Sequence, residues 1–328
     1  MLLQHLRSLR YALPLGGALS ASVLAARQSR PVHNEAAKEP RMIISKPDVF
    51  ARKWKKFCTD GLDKLIVIAD FDQTLTPCFR KSGERALSSH SALMTSPLMD
   101  PAVREQETKL FHHYYPIEMS PTLTQEEKLP YMLEWWTRQH DVLVEAKLHK
   151  QLIVDAVTKC DLIFRDGFHE IFRVLKEENV PTLVFSAGLY DVIHAALDKE
   201  FRALGWPTTP SNVHVVSNMM KFNEQGVITS FQGSVIHCFN KNASVLIGTE
   251  FHRQCQLQQR RNIILLGDSL GDVTMASGLD VTEDEIIRVG FLNVHVEESM
   301  EQYLDKFDIV LTNDASLYPV ELLIHQIQ

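Results

Sequence analysis

The sequence contains few cysteines, and their spacing indicates no special use. None of them forms a CxxC pair or stands at metal-ligand spacing from a histidine. The odd count and the scattered positions argue against a disulfide framework and a zinc site, and they favour reduced thiols in a cytosolic protein. The cysteines are Cys58, Cys78, Cys160, Cys238 and Cys255.

Positive charge is not in excess either. The formal net charge is −7, with 34 Lys and Arg residues against 41 Asp and Glu residues. No basic stripe offers an electrostatic footprint for a polyanion, so a nucleic-acid polymer is not an expected partner. A small phosphate ester is still compatible with this charge, because a few local cations and backbone amides suffice to bind it.

A long hydrophobic run is also missing. Only Tyr11–Ala26 approaches the length of a membrane-spanning helix, and its 16 residues include Pro14, Gly16 and Gly17. This run is short for a span, so the sequence excludes a membrane transporter and indicates no obligatory membrane partner.

The first fifty residues differ from the rest, since arginines flank the apolar run and no acidic residue precedes Glu35. Three interpretations are open for this extension: a mitochondrial-type presequence, a weak membrane anchor, or a disordered segment. We expect residues 1–50 to lie outside the fold. The expected location is the cytoplasm, with mitochondrial or membrane-tethered forms as the alternatives.

From Leu65 onward, short apolar runs alternate with helix-like stretches such as Phe168–Glu178 and Tyr190–Leu204. Continuous apolar strands are typical of a parallel sheet that is covered on both faces. The pattern therefore predicts an α/β fold with a doubly wound, mostly parallel sheet. The predicted strands are Leu65–Ala69, Thr182–Phe185, Val213–Val216, Ile263–Leu266, Ile287–Phe291 and Ile309–Leu311.

Two insertions interrupt this alternation. About 100 residues separate the first two strands, and helical spacing over Leu123–His140 and Val142–Val157 predicts an inserted helical cap domain. The second insertion, Met219–Phe222 followed by Val227–Phe231, predicts a hairpin. We expect a cap over residues 86–164 and a core formed by residues 51–85 and 165–328.

Carboxylates follow the first predicted strand directly, in Asp70-Phe71-Asp72-Gln73-Thr74. The carboxyl ends of strands are where open α/β sheets bind ligands. Asp70 suits nucleophilic attack on phosphorus, and Asp72 suits proton transfer to the leaving oxygen and from water. Taken alone, the same residues are also common in a capped loop.

Two further strand ends carry candidate ligand groups. Ser186-Ala187-Gly188 offers a hydroxyl and backbone amides at a predicted helix start, which can cradle phosphate or serve as an ordinary N-cap. Asp268 and Asp272 stand four residues apart, and on an opening helix they would share one face. Paired carboxylates suit Mg²⁺, although acids at a helix start also counter the helix dipole.

The order and spacing of these motifs resemble the haloacid dehalogenase-like phosphohydrolases, which carry DxDxT, a strand-end Ser or Thr, a Lys, and GDxxxD. Further strings narrow the resemblance to the cytosolic 5′-nucleotidase III family, which acts on pyrimidine or 7-methylguanosine monophosphates. These strings are Phe111–Glu118, Glu134–Thr137, Phe185–Gly188 and Leu266–Ser269.

The resemblance implies a role for each matching residue. Asp70 would be the nucleophile and Asp72 the acid/base. Phosphate would be held by Ser186, Ala187, Gly188 and Lys241. Mg²⁺ would be bound by Asp70, the Asp72 carbonyl and Asp268, with Asp272 in support.

The resemblance also implies base recognition by Glu118 and by one residue of the Trp135-Trp136 pair, for which we name Trp136. The double tryptophan is similar to the 7-methylguanosine-phosphate branch, because a cationic purine gains from contact with indole. Gln139 departs from the family, which has a small residue near the substrate at this position. Base preference and oligomeric state stay open at this stage.

The sequence therefore predicts a Mg²⁺-dependent 5′-nucleotidase, a phosphoric monoester hydrolase, that releases nucleoside and phosphate through a phospho-Asp70 intermediate. The small-molecule partner would be a nucleoside monophosphate. Alternatives are a phosphatase for another small ester, such as phosphoserine, and a nucleoside phosphotransferase. A non-catalytic interaction protein is disfavoured, because it has no need for the six polar residues Asp70, Asp72, Ser186, Lys241, Asp268 and Asp272.

Overall fold

The structure, a computed structural model, describes residues 39–118, 120 and 122–327. The apolar run Tyr11–Ala26, with its three interpretations, lies outside the described residues. Among the residues described, no helix combines the length and the apolar character that crossing a membrane requires.

A seven-stranded sheet lies at the centre of the fold, in the order β1-β9-β8-β7-β2-β3-β4. All neighbouring strands are parallel except the edge pair β1 and β9. The doubly wound, mostly parallel sheet predicted from the sequence is confirmed. The strands are β1 Met42–Ile44, β2 Leu65–Ala69, β3 Thr182–Leu189, β4 Val213–Asn218, β7 Asn262–Gly267, β8 Ile286–Leu292 and β9 Ile309–Thr312.

Both faces of the sheet are buried, which explains why its strands are continuous apolar runs. Along β2, Leu65, Val67 and Ala69 join one hydrophobic core, whereas Ile66 and Ile68 join a second core. Successive side chains of a strand point to opposite faces, so each face needs its own cover. The α-helices in the described residues are α1 Pro47–Asp60, α2 Ser89–Met94, α3 Pro101–Glu118, α4 Gln125–Glu145, α5 Lys150–Lys159, α6 Phe168–Glu177, α7 Tyr190–Ala203, α8 Glu250–Gln254, α9 Val296–Lys306 and α10 Tyr318–Gln326.

The sheet begins earlier in the chain than the sequence indicated. We expected the fold to start after residue 50, but Met42–Ile44 pairs antiparallel with Ile309–Leu311 at the sheet edge. The boundary at residue 50 is therefore wrong. A three-residue strand has too little periodicity to be recognised, and only its pairing partner defines it.

The long insertion between β2 and β3 is helical and contains α2 to α5. The predicted helix Val142–Val157 is wrong, because α4 continues to Glu145 and α5 begins at Lys150. Between them Lys147 has a left-handed φ of 51°, which interrupts the helix. The helical spacing of apolar residues continues on both sides of this turn, so the sequence pattern does not reveal the break.

The predicted hairpin is present, with strands β5 Met220–Phe222 and β6 Ile228–Phe231. It contacts the helical insertion at two places. The ring of Phe231 stacks on His140 of α4 at 3.6 Å, and Lys150 N–H donates to the Gly226 carbonyl at 2.8 Å. The hairpin thus connects the core of the protein to the inserted helices.

Candidate active site

Three adjacent strands bring the sequence motifs to one edge of the sheet. β2 pairs in parallel with β3 on one side and with β7 on the other, so Asp70 and Asp268 follow neighbouring strands and Ser186 lies near the carboxyl end of β3. The backbone N–H of Asp70 donates to the carbonyl of Leu266 at 2.9 Å, which ties the first motif to the third. Asp70 and Asp268 meet at this edge, and Ser186 lies on the neighbouring strand.

Carboxylates meet around a buried lysine at this edge. Asp70, Asp268 and Asp272, here called the carboxylate cluster, each place an oxygen within 4.8 Å of the others. Nζ of Lys241 lies 2.6 Å from Oδ1 of Asp70 and 2.7 Å from Oδ1 of Asp272. The Lys241 side chain is only 5% exposed, so its charge is screened little by solvent.

The electrostatics of the carboxylate cluster favour a cation. Burial, together with the charge of Asp272, raises the pKa of Asp70 to about 7 against the opposing effect of Lys241. Burial and the neighbouring Asp70 likewise raise the pKa of Asp268 well above its usual range. Burial alone would lower the pKa of Lys241, but Asp272 and Asp70 raise it above the ordinary value, so the ammonium form prevails.

The carboxylate cluster also fits a hard dication. Mg²⁺ prefers oxygen ligands and is usually held by one or two carboxylates together with substrate phosphate and water. Three crowded carboxylates, of which Asp70 and Asp268 have raised pKa values, gain from such an ion because it offsets the repulsion between like charges. The Asp72 carboxylate is not part of the cluster.

Asp72 is held by a residue that the sequence motifs did not reveal. Its carboxylate accepts hydrogen bonds from the backbone N–H of Ser89 at 2.6 Å and from the Ser89 hydroxyl at 2.5 Å. Burial raises the pKa of Asp72, while the two Ser89 bonds oppose that shift. Ser89 lies in the first turn of α2, directly after the N-cap Ser88. The start of the helical insertion therefore orients the second aspartate.

The Ser186–Gly188 segment differs in detail from the prediction. We expected a strand running directly into a helix, but β3 continues to Leu189 with a register shift after Phe185, and α7 begins at Tyr190. The Gly188 N–H donates to Oγ of Ser186 at 3.0 Å. A Cβ at Gly188 would collide with the Ser89 hydroxyl, so only glycine allows this close approach.

Asp268 and Asp272 do not share a helix face, and that prediction is wrong. The chain forms a loop after β7, and only a 3-10 turn, Asp272–Thr274, follows it. Oδ2 of Asp272 accepts hydrogen bonds from the backbone and the hydroxyl of Ser269, both at 2.9 Å. A Cβ at Gly267 would collide with Asp272, so the glycine lets this side chain fold back beneath the site.

A buried arginine supports the loop that follows β2, residues 70–76. The guanidinium of Arg165 donates to the carbonyls of Gln73 at 2.6 Å and Thr74 at 2.8 Å, and it pairs with Asp314 at 2.9 Å. Gln73 has a φ of 60°, an unusual conformation for a non-glycine residue. The planar fork of donors in arginine can hold several carbonyls at once, and it stabilises this irregular loop.

Replacing Arg165 with methionine is expected to lower the free energy of unfolding by about 3–5 kcal/mol, because Asp314 and several loop carbonyls lose a buried partner. Urea unfolding monitored by circular dichroism measures this change. The matched control is Arg173→Met on the exposed side of α6, which should shift stability by less than about 0.5 kcal/mol. Equal stability of the Arg165 variant and the wild-type protein would contradict the assigned role.

The helical insertion brings its own candidate residues toward the strand ends. Trp135 is 4% exposed and stacks on Tyr114, so it belongs to the core of the insertion. Trp136 is half-buried, and its indole N–H donates to the Ala187 carbonyl at 3.0 Å. The two tryptophans therefore have different surroundings: Trp135 is buried in the insertion, whereas Trp136 contacts the predicted phosphate segment.

Glu118 and Gln139 face different partners. Burial raises the pKa of Glu118, and a hydrogen bond with the Cys238 side chain opposes that shift. Cys238 precedes Lys241 by three residues, which places Glu118 beside the lysine loop. The Gln139 amide donates instead to the buried carboxylate of Glu107 at 2.9 Å.

Several residues of the site carried no recognised motif. Ser89 could have been found from Ser88-Ser89-His90-Ser91, because serines at this spacing are typical of a helix N-terminus. The sequence did not indicate that Arg165 and Glu107 are buried, because an isolated charged residue is most often exposed.

Comparison with known proteins places the chain in a family. The family profile described as pyrimidine 5′-nucleotidase (UMPH-1) matches residues 73–328, beginning directly after Asp72. The chain belongs to the pyrimidine 5′-nucleotidase family. This membership confirms the predicted enzyme class, a phosphoric monoester hydrolase, and the family resemblance of the sequence motifs.

Relatives support the assignment over most of the chain. The 7-methylguanosine phosphate-specific 5′-nucleotidase of Gallus gallus is 45% identical over 257 residues, which span 78% of this chain and 86% of the relative. The Mus musculus protein of the same name is 41% identical over 267 residues, spanning 81% and 86%. The crystal structure of cytosolic 5′-nucleotidase IIIB bound to cytidine matches with a TM-score of 0.79 at 34% identity, covering 87% of this chain and 93% of that chain.

Proposed function

We propose that this protein is a Mg²⁺-dependent 5′-nucleotidase that hydrolyses nucleoside 5′-monophosphates to nucleoside and phosphate. The observation that supports the proposal most directly is the position of Asp70, which contacts Lys241 and belongs to the carboxylate cluster, directly after the strand that pairs with the Ser186 strand. A buried nucleophile, a fixed cation and a metal-compatible carboxylate group are the components that phosphoryl transfer needs. The proposed location is the cytoplasm, as for the 34% identical Caenorhabditis elegans relative named putative cytosolic 5′-nucleotidase 3.

The reaction proceeds in two in-line steps. In the first, an oxygen of Asp70 forms a bond to phosphorus while the bond between phosphorus and the nucleoside 5′ oxygen breaks, and Asp72 donates its proton to that oxygen. In the second, water attacks phosphorus, Asp72 takes a proton from the water, and the bond to Asp70 breaks. Nucleoside leaves after the first step and phosphate after the second.

Each of the remaining groups has a part in this scheme. Lys241 and the Ser186–Gly188 segment neutralise and orient the phosphoryl oxygens, while Ser89 holds Asp72 in place. Asp70, Asp268 and the Asp72 carbonyl, with Asp272 in support, would hold Mg²⁺, which would supply charge neutralisation at the phosphoryl group. A positioned cation matters because charge in this transition state is spread over several oxygens.

The helical insertion acts as a cap that recognises the base. Trp136 bonds to the phosphate segment through Ala187, and Glu118 lies beside the lysine loop, so both extend from the insertion toward the reacting group. Candidate substrates are pyrimidine and 7-methylguanine nucleotides. One relative is described as bound to cytidine, and others are named 7-methylguanosine phosphate-specific enzymes.

A substrate panel tests the proposed function. Phosphate release is measured from CMP, UMP, 7-methyl-GMP, AMP and phosphoserine, each with Mg²⁺ and with EDTA. We expect release from CMP or 7-methyl-GMP that EDTA abolishes and excess Mg²⁺ restores, because the carboxylate cluster needs a dication. Release from phosphoserine alone would replace the nucleotide proposal, and full activity in EDTA would refute the metal requirement.

A further inference from the structure

A second buried carboxylate lies in the helical insertion, outside the carboxylate cluster. Glu107 of α3 is only 2% exposed, and its Oε2 accepts a hydrogen bond from the side-chain amide of Gln139 on α4 at 2.9 Å. Its other oxygen, Oε1, is buried and has no hydrogen-bond partner among the described residues. A half-satisfied buried carboxylate is costly to the fold, so its presence calls for a role.

One contact and one helix spacing relate this carboxylate to residues near the carboxylate cluster. Nε2 of His90 lies 3.6 Å from Oε2 of Glu107, and His90 directly follows Ser89, which holds Asp72. Gln139 follows Trp136 by three residues on α4, so the two side chains share a helix face. Trp136 in turn bonds to the phosphate segment. Gln139 therefore lies on the same face of α4 as Trp136, the residue that contacts the phosphate segment.

The carboxylate decides which way the Gln139 amide points. An ionised carboxylate only accepts hydrogen bonds, so the amide must turn its NH₂ group toward Glu107. The carbonyl oxygen Oε1 of Gln139 is then the atom left for another partner. A glutamine without such a neighbour could present either its NH₂ or its oxygen, and it would not discriminate between a donor and an acceptor.

We propose that Gln139, oriented by Glu107, accepts a hydrogen bond from an exocyclic amino group of the base and so selects amino-bearing nucleotides. Cytosine carries an amino group where uracil carries a carbonyl oxygen, and 7-methylguanine carries one that 7-methylhypoxanthine lacks. Glu107 is a positioning residue, and Gln139 is the residue that contacts substrate. The inference rests on the proposed function, because it concerns the base of the same nucleotide.

The test compares substrate pairs that differ at the amino group. kcat/KM is measured for CMP against UMP and for 7-methyl-GMP against 7-methyl-IMP, in the wild-type protein and in Gln139→Ala and Glu107→Gln. Burial raises the pKa of Glu107 to about 7, so assays at about pH 8 keep it ionised. The matched control is Thr137→Ala, an exposed position of the same helix.

We expect the wild-type protein to prefer the amino-bearing member of the pair it hydrolyses by about tenfold or more, the ratio that one specific hydrogen bond provides. Gln139→Ala should bring that ratio close to one. Glu107→Gln should also lower it, because a glutamine at 107 can donate to Gln139 and lets its amide turn around. Thr137→Ala should leave the ratio unchanged.

The outcomes separate this inference from the proposed function. Unchanged ratios in both variants, or a wild-type preference for UMP, would overturn the inference while nucleotide hydrolysis stands. Absence of hydrolysis of every nucleotide by the wild-type protein would overturn both. If Glu107→Gln does not fold, the ratio in Gln139→Ala decides, because that side chain is only partly buried.

Discussion

Replacing Asp70 with asparagine is expected to reduce nucleotide hydrolysis by roughly 10⁴-fold or more, because the variant lacks the oxygen nucleophile that attacks phosphorus. Steady-state phosphate release measures the loss. Acid-quenched protein incubated with ³²P-labelled nucleotide gives a second readout, since only the wild-type protein should retain covalent label. Substantial turnover in the variant would refute the nucleophile assignment.

The same substitution should not damage the fold. The raised pKa of Asp70, about 7, means that the folded state disfavours its ionised form at any pH above the ordinary carboxyl pKa. An uncharged amide of the same shape removes that repulsion within the carboxylate cluster, so the melting temperature without Mg²⁺ should stay constant or rise. The matched control is Asp63→Asn, an exposed position that should change neither activity nor stability.

Replacing Lys241 with methionine is expected to lower kcat about 10²–10³-fold, the usual cost of removing one preorganised group that stabilises transition-state charge. Methionine preserves most of the side-chain volume and removes the ammonium. Lys241 is buried between Asp70 and Asp272, and among the residues that the structure describes no other cation contacts those two oxygens. Single-turnover kinetics with saturating Mg²⁺ measure the chemical step directly.

The methionine variant should also be less stable without Mg²⁺, by about 3–5 kcal/mol, because two buried carboxylates lose their partner. Lys241→Arg keeps the charge and should recover part of the stability. Lys64→Met, at an exposed position, is the control for loss of a positive charge elsewhere. A wild-type kcat in Lys241→Met would show that the lysine is structural and does not assist the reaction.

The local sequence pattern, meaning apolar runs and short motifs, was sufficient to predict the main features of the fold and of the site. Strands such as Leu65–Ala69 were predicted because both sheet faces are buried and every residue of the strand is apolar. Asp70, Ser186 and Asp268 were predicted to converge because parallel strands end at one edge of the sheet; Asp70 and Asp268 meet there, and Ser186 lies on the neighbouring strand. The hairpin at residues 220–231 followed from its turn and its flanking apolar residues.

Features that depend on distant partners were missed or wrong. The strand Met42–Ile44 exists because it pairs with residues 309–311, far away in the chain. Asp268 and Asp272 leave the predicted helix because Asp272 folds back against Gly267 and accepts hydrogen bonds from Ser269. In both cases a tertiary contact overrode the local preference of the chain.

The amino-acid sequence by itself determined the layered α/β fold, the family, and the identity of the residues that meet at the strand ends. These follow from apolar periodicity and from short motifs, which are local. Only the tertiary structure decided that Ser89 holds Asp72, that Arg165 supports the loop after β2, and that the Gln139 amide donates to Glu107. Each of these contacts joins residues from different elements, and a buried polar group reveals its partner only when the chain has folded around it.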